Sequence, residues 1–300
     1  RKLIENIYTN AYLHKLSIVW GDKLENYKII SEIPHTKQYD FYRMFVQPAV
    51  KKETTVVIIS DALRYECANE LNSIFSDSVK YASEVDYMIS CIPSYTRLGM
   101  AALLPHRKIA ITENYEVLVD GQANVSTEQR QKILGSYNPA SVACLYSDII
   151  SLGREDIRKL LTGKELIYIY HNQIDARGEN SSTENEVFSA CEETFEEIIK
   201  LVKKLTVDKS ITNYIITADH GFIYKRDKLD ESDKVNLPKY KNLYQNKRFI
   251  LSGEDIAVDG TLNFSLGYLG SENEGICVTV PRGADIFKVS GGGQNYVHGG

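Results

Sequence analysis

The stretch TTVVIIS at residues 54–60, followed at once by Asp61, decides how the rest of the chain reads. It is short, apolar and β-branched, and it lacks the alternation that a strand with one wet face would show. Such a run fits a strand buried on both faces of a parallel sheet. Two further runs share its character, ELIYIYHNQID at 165–175 and NYIITADHG at 213–221. Between them lie helical patterns: ALRYECANELNSIF at 62–75, with Cys67, Ala68, Leu71, Ile74 and Phe75 on one side, and ENEVFSACEETFEEIIKLVKKL at 184–205. Continuous strands alternating with helices predict an α/β fold with a largely parallel central sheet flanked by helices.

Outward from this frame, residues 1–53 read as an N-terminal helical segment that ends near Pro48, with Tyr39, Phe41, Tyr42 and Phe45 clustered before the break. YASEVDYMIS at 81–90 reads as a second strand that Pro93 terminates, and Arg97–Leu104 as a helix whose first turn starts at Thr96. The main domain is expected over 54–300, with two inserted elaborations. One, at about 106–163, combines a hairpin at Val119-Asp120-Gly121-Gln122 with two amphipathic helices; the other, at about 224–275, is polar, rich in Tyr and Lys, and suited to a lid. A short strand, GICVTV, and the glycine cluster GGGQNYVHGG at 291–300 close the chain. With no initial Met and an end on Gly-Gly just past His298, the sequence is expected to be part of a longer protein whose C-terminal remainder is missing.

With 43% hydrophobic and 25% charged residues among 300, the chain has the composition of an ordinary globular protein. A net charge of -5 gives no general pull toward a polyanion. Cys67, Cys91, Cys144, Cys191 and Cys277 form neither a CxxC pair nor a disulfide framework, which points to a reducing compartment. No run approaches the roughly 20 apolar residues of a spanning helix. A cytoplasmic location without membrane attachment is the expectation.

In open α/β sheets, functional groups gather at the carboxyl ends of strands. Asp61 ends one run; Asp175, with Glu179 four residues on, follows another; Asp219 and His220 end a third; His298 lies in the glycine-rich tail. Each alone also reads as a cap or turn former. Together they suggest a cation, because a tandem Asp-His at a strand end is costly to bury without a compensating charge. Carboxylates and imidazoles without thiolates suit Zn or Mn, with Mg at an oxygen-rich site. Two such ions about 4 Å apart would stabilise the attacking and departing oxygens of a phosphoryl transfer. Water or Thr96 is the nucleophile, and Thr96 has a second reading as a plain helix cap. Arg97 and Arg64 are candidates to contact phosphate oxygens, with packing or surface roles as the alternative.

VVIISDALRYE, PSYTRLGMAALLPH, YIYHNQIDARGE and IITADHGF, in this order and spacing, resemble the PglZ domain, a branch of the alkaline-phosphatase superfamily, in the form met in BREX bacteriophage-defence systems. The resemblance runs from about residue 54 to the end. It implies an alkaline-phosphatase-like fold and a nucleophilic Thr96. It also implies one cation held by Asp61, Asp219 and His220 with Thr96 facing it, and a second held by Asp175, Glu179 and His298. Glu179 stands where many superfamily members carry His, and His171 is a lower-ranked substitute ligand. The implied reaction is hydrolysis of a phosphate ester, a phosphodiester in the first place, through a phosphothreonine intermediate. The resemblance points to a nucleotide or DNA as the ester, the residues themselves leaving monoester, diester and nucleic acid open, and the implied partners are other bacterial defence subunits, a DNA methyltransferase among them.

Other readings remain at this level. A phosphomutase would need a second phosphate pocket, and a sulfatase would carry Cys or Ser where this chain has Thr96. A scaffold with a structural metal site would use the Tyr- and Lys-rich segment for docking.

Overall fold

The computed structural model describes residues 2–27, 30–77, 81–209, 211–226, 234–235, 243–288 and 295–299. At its centre lie four parallel strands: β1 (Thr55–Ser60), β2 (Ser141–Leu145), β3 (Leu166–His171) and β4 (Asn213–Thr217), in the spatial order β2-β3-β1-β4. In register, Val57 of β1 lies beside Tyr168 of β3 and Ile215 of β4. Every residue of β1 and of β3 is buried.

Their alternate side chains enter two different cores, which is why neither run alternates in polarity. Val57, Ile59, Tyr168 and Tyr170 pack with Leu98, Leu103, Ile133 and Leu134 on one face. Val56, Ile58, Ile167 and Ile169 pack on the other with Leu71, Phe75 and the long helix Val187–Lys209, through Ile198, Leu201 and Leu205. Each fully buried aliphatic side chain contributes about 1.5–3 kcal/mol relative to exposure, so the centre of the sheet is the most strongly fixed part of the fold.

Several local expectations hold. Val119 pairs with Gln122 across a two-residue turn in which Asp120 and Gly121 both have positive φ, the conformation a tight hairpin requires. The helix Thr127–Tyr137 starts in a Ser126/Gln129 capping box, and Arg154–Leu161 is the second expected amphipathic helix.

Others need correction. Residues 81–90 form no strand. Ile89 makes one isolated parallel bridge, to Lys37, and Glu84 and Asp86 point to solvent, so the segment has no sheet neighbour along its length. The stretch 106–163 is more than an elaboration, because it contains β2, one of the two edge strands of the central sheet. Within the lid-like stretch, Ile250–Ser252 and Thr261–Ser265 pair antiparallel with Cys277–Pro281, and Phe249, Leu251, Leu262 and Phe264 join the core on one face of the central sheet. The described part of that stretch is therefore packed into the body. Residues 227–233 and 236–242 of it, and 291–294 and 300 of the glycine cluster, lie outside the described residues. No helix among the described residues is long and apolar enough to cross a membrane.

One close approach joins the sheet to the helix Thr96–Ala102. A Cβ on Gly99 would fall 2.2 Å from the carbonyl oxygen of Asp219, backbone against backbone. Only glycine lets this helix lie so near the end of β4. Gly99→Ala is expected to destabilise the protein by about 3 kcal/mol, the upper range for forced overpacking. Urea unfolding checks it, and a loss under about 0.5 kcal/mol, the level of an ordinary surface substitution, would show that the helix can shift freely.

Candidate active site

The carboxyl ends of β1, β3 and β4 put their acidic residues on one rim, because parallel strands in register end together. Asp61 follows β1, and its N–H donates to the carbonyl of His171 at the end of β3 (2.8 Å). Ala62 is forced to a φ of 63°, a left-handed conformation costly for a residue with a Cβ. That turn aims the Ala62 N–H at Asp219 Oδ1, 3.2 Å away. Strain beside Asp61 thus ties it to Asp219.

His220 sits at the middle. Its Nδ1 lies 3.0 Å from the carbonyl of Gly221, which fixes a proton on Nδ1 and leaves Nε2 as the outward atom. Around Nε2 lie Asp61 Oδ1 at 3.3 Å, Asp219 Oδ2 at 3.5 Å and Asp175 Oδ1 at 4.0 Å. Thr96 Oγ1 is 3.1 Å from the same nitrogen. His298 stacks on His220, ring centroids 4.4 Å apart. The side chains meet from five separate stretches of chain, and all but Thr96 and His298 are buried.

Two sets of ligand atoms converge, each within 4.8 Å of one another: Asp61, Asp219 and His220, and Asp175, His220 and His298. Both could hold a cation. The first matches the expected set, whereas in the second His220 takes the place expected of Glu179. Glu179 is exposed, lies outside both sets and accepts a hydrogen bond from His298 Nε2 at 2.9 Å, which lowers its carboxyl pKa.

The electrostatics point the same way. Burial disfavours a charged His220, but Asp219, Asp61 and Asp175 outweigh it and raise its pKa to about 10. Burial, with Asp61 next, raises Asp175 to about 6 and lifts Asp219 well above the usual carboxylate range. Asp61 Oδ1 and Asp219 Oδ2 are buried without a hydrogen-bond partner. Orphaned carboxylate oxygens beside an imidazole that holds its proton too tightly are what a site built for positive charge looks like. The donor set of oxygen and nitrogen fits a divalent ion.

Two expected residues turn elsewhere. His171 is buried with Nδ1 on Ser60 Oγ (3.0 Å) and Nε2 on Glu197 Oε2 (2.7 Å), so neither ring nitrogen faces the cluster. Arg64 lies over the Phe222 ring (4.4 Å) and pairs with Glu66. Arg97 is exposed next to Thr96.

Tyr296 was not singled out by sequence. Its hydroxyl donates to Asp175 Oδ1 at 2.9 Å, and its ring lies so close to Gly178 that an added Cβ there would come within 2.5 Å. A signal existed: in extended chain Tyr296 and His298 share a face, so a tyrosine two residues before a candidate ligand is a candidate neighbour.

Residues 41–300 match the BREX system PglZ alkaline phosphatase-like domain. The chain belongs to this family. It is 47% identical over its whole length to the alkaline phosphatase-like protein PglZ of Bacillus cereus (strain H3081.97), covering 36% of that protein. It is 34% identical to the alkaline phosphatase-like protein BrxZ of Escherichia coli O9:H4 (strain HS), over 99% of this chain and 35% of that one. The chain thus spans about a third of the length of these PglZ relatives. Among solved structures, it resembles an inactive threonine-to-alanine variant of murine ectonucleotide pyrophosphatase/phosphodiesterase 5 in complex with AMP, with a TM-score of 0.54 at 12% identity, covering 82% of this chain and 84% of the other. That likeness establishes the alkaline-phosphatase-like fold of this PglZ domain.

In protein stripped of divalent cations, the folded state holds more protons than the unfolded one at Asp175 between pH 3.8 and about 6, and at His220 between 6.5 and about 10. Raised pKa values mean that stability falls as pH rises through both windows. Thermal denaturation should show this decline, and His220→Asn should flatten its upper part. Added Zn2+ takes the place of the protons, so it should raise the melting temperature more at pH 8 than at pH 6. A Zn2+ effect independent of pH would contradict the assignment.

Proposed function

We propose that this PglZ domain is a metal-dependent phosphoesterase, acting first on phosphodiesters, with Thr96 as nucleophile. The observation that carries the reading is Thr96 Oγ1 lying 3.1 Å from His220 Nε2, in contact with a cluster in which two buried carboxylate oxygens, Asp61 Oδ1 and Asp219 Oδ2, have no hydrogen-bond partner. The fold neighbour supports it, since it is named a pyrophosphatase/phosphodiesterase and its inactive form is a threonine-to-alanine variant holding AMP.

Asp61, Asp219 and His220 would hold one divalent cation, and Asp175 and His298, with Glu179 beside them, a second. Zn is the first choice for this donor set, with Mn and Mg as alternatives. When bound, these ions supply Lewis-acid stabilisation of negative oxygen. The chain does the rest. The Gly221 carbonyl holds the tautomer of His220, Tyr296 holds Asp175, and the turn after Asp61 holds Asp219. Thr96, only partly buried, gives its proton to solvent, and its oxygen attacks phosphorus as the bond to the leaving oxygen breaks. Water then attacks the phosphothreonine, and the bond from phosphorus to Thr96 Oγ breaks. Arg97, exposed beside Thr96, would hold non-bridging oxygens, a role for which Arg64, engaged with Phe222, is less suited.

The substrate class is a nucleotide or DNA phosphodiester. As a member of a BREX-system family, the domain is read as acting in the bacterial cytoplasm beside other defence subunits, including a DNA methyltransferase.

The test is turnover of bis-(p-nitrophenyl) phosphate and p-nitrophenyl phosphate by the full-length protein with Zn2+, Mn2+ or Mg2+. Diester cleavage should require the cation and fall about a thousandfold in Thr96→Ala, with cation affinity nearly kept. If the wild type binds cations tightly and cleaves neither ester, the catalytic reading fails and a scaffold with a structural metal site takes its place.

A further inference from the structure

Gln38 lies ahead of the residues that match the family domain, in a segment that carries none of the site's charged groups. It is nonetheless only 2% exposed, and its side chain reaches across the molecule. The amide Nε2 donates to the carbonyl of Asp219 at 2.6 Å, with the carbonyl of Ala218 at 3.3 Å. Its Oε1 accepts the N–H of Cys91 at 3.1 Å. One side chain therefore bridges two backbone segments: the turn bearing Asp219 and His220, and the turn running from Cys91 to Thr96.

The surroundings leave Gln38 little freedom. Its own N–H donates to the carbonyl of Ile89 (2.8 Å), and the N–H of Ile89 donates to the carbonyl of Thr36 (2.8 Å), so the backbone on either side is docked onto residue 89. On the far side, the Asp219 carbonyl rests against the bare Cα of Gly99, in the helix that Thr96 begins. The next residue after Cys91 is fixed as well: the N–H of Ile92 donates to Tyr268 Oη and the Ile92 carbonyl accepts from it, each at 3.0 Å.

We propose that Gln38 is a positioning residue: its amide locks the Asp219–His220 turn to the Cys91–Thr96 turn and so sets the distance between the carboxylate-imidazole cluster and the threonine hydroxyl. The segment ahead of the family domain thereby completes the site without touching substrate. A carboxamide suits this post because it donates to a carbonyl and accepts from an N–H at once. Leucine offers neither, and an ionised glutamate can only accept. The consequence for catalysis rests on the phosphoesterase reading; the lock itself rests on the hydrogen bonds alone.

The test compares Gln38→Leu and Gln38→Glu with Asn273→Leu in the full-length protein at pH 8. Asn273 is an equally buried amide that also bridges backbone, taking the Ile111 N–H and donating to the Ile109 carbonyl, away from the cluster. It controls for simple loss of a buried amide. Amide hydrogen exchange is read at 89–97 and 218–221, and Zn2+ affinity by calorimetry. Gln38→Leu should speed exchange at least tenfold in both turns and weaken Zn2+ about tenfold, the lower range for groups that orient metal ligands. Gln38→Glu should loosen 218–221 while sparing Cys91, whose N–H keeps its acceptor. Asn273→Leu should change neither turn nor the affinity. Unchanged exchange in both turns of Gln38→Leu, or equal effects from Asn273→Leu, overturns the proposal. Faster exchange in a protein whose wild type binds no Zn2+ leaves the lock standing and removes the metal-centre reading instead.

Discussion

A single imidazole nitrogen surrounded by three buried aspartates is the constraint on which this structure turns. His220 Nε2 has Asp61, Asp219 and Asp175 within 4.0 Å, and no arginine or lysine is paired with any of these carboxylates among the described residues. Such a concentration of negative charge in a buried place is unstable by itself, since each carboxylate resists desolvation and repels the others. A proton held on His220 answers part of it, and a divalent ion would answer more. The features nearby that break ordinary rules serve this cluster. Ala62 is left-handed so that its N–H can reach Asp219, Gly99 gives up its side chain so that the Thr96 helix can close in, and Gly178 makes room for the ring that holds Asp175.

The sheet makes the cluster possible because it is rigid where the cluster is strained. β1 and β3 are buried on both faces, and their in-register ends set Asp61 against the start of the Asp175 segment. A strand with one wet face could slip or fray; a strand between two packed cores cannot move without opening both. The antiparallel sheet around Cys277–Pro281 is joined to the same body. Tyr296, two residues from His298, is held separately: it pairs with Tyr224, and its N–H and that of Asn295 both reach Glu184 Oε2.

What was legible in the sequence followed from strong local signals. The runs at 54–60 and 165–171 could be read because burial on both faces demands unbroken apolar residues; the run at 213–217 resembles them in sequence, although β4 is an edge strand and only half-buried. The Asp-Gly turn at 120–121 could be read because few other pairs accept two positive φ values. The cluster residues stood out only together, because an Asp or His after one strand also reads as a cap or turn former, whereas several at successive strand ends are costly to bury without a compensating charge. Less could be read where the deciding contact is distant. β2 is a short edge strand with a half-exposed face, so SVACL carries little of the continuous pattern. The segment 81–90 has strand-like composition, but among the described residues its pairing is limited to the isolated bridge between Ile89 and Lys37. His171 and Arg64 stand near the right residues in sequence, yet their side chains face Glu197 and Phe222, and direction is set by packing that no local pattern records. Gln38 is the extreme case, a lone amide whose partners are 53 and 181 positions away.

The account stands or falls on whether this cluster binds cations where the ligand atoms converge. Crystals of the full-length protein soaked in zinc, with anomalous scattering recorded on both sides of the zinc edge, measure that directly. The account predicts two peaks per chain, one among Asp61, Asp219 and His220 and one beside Asp175 and His298. Zinc found only elsewhere on the protein, with these side chains in place and no peak between them, would contradict it.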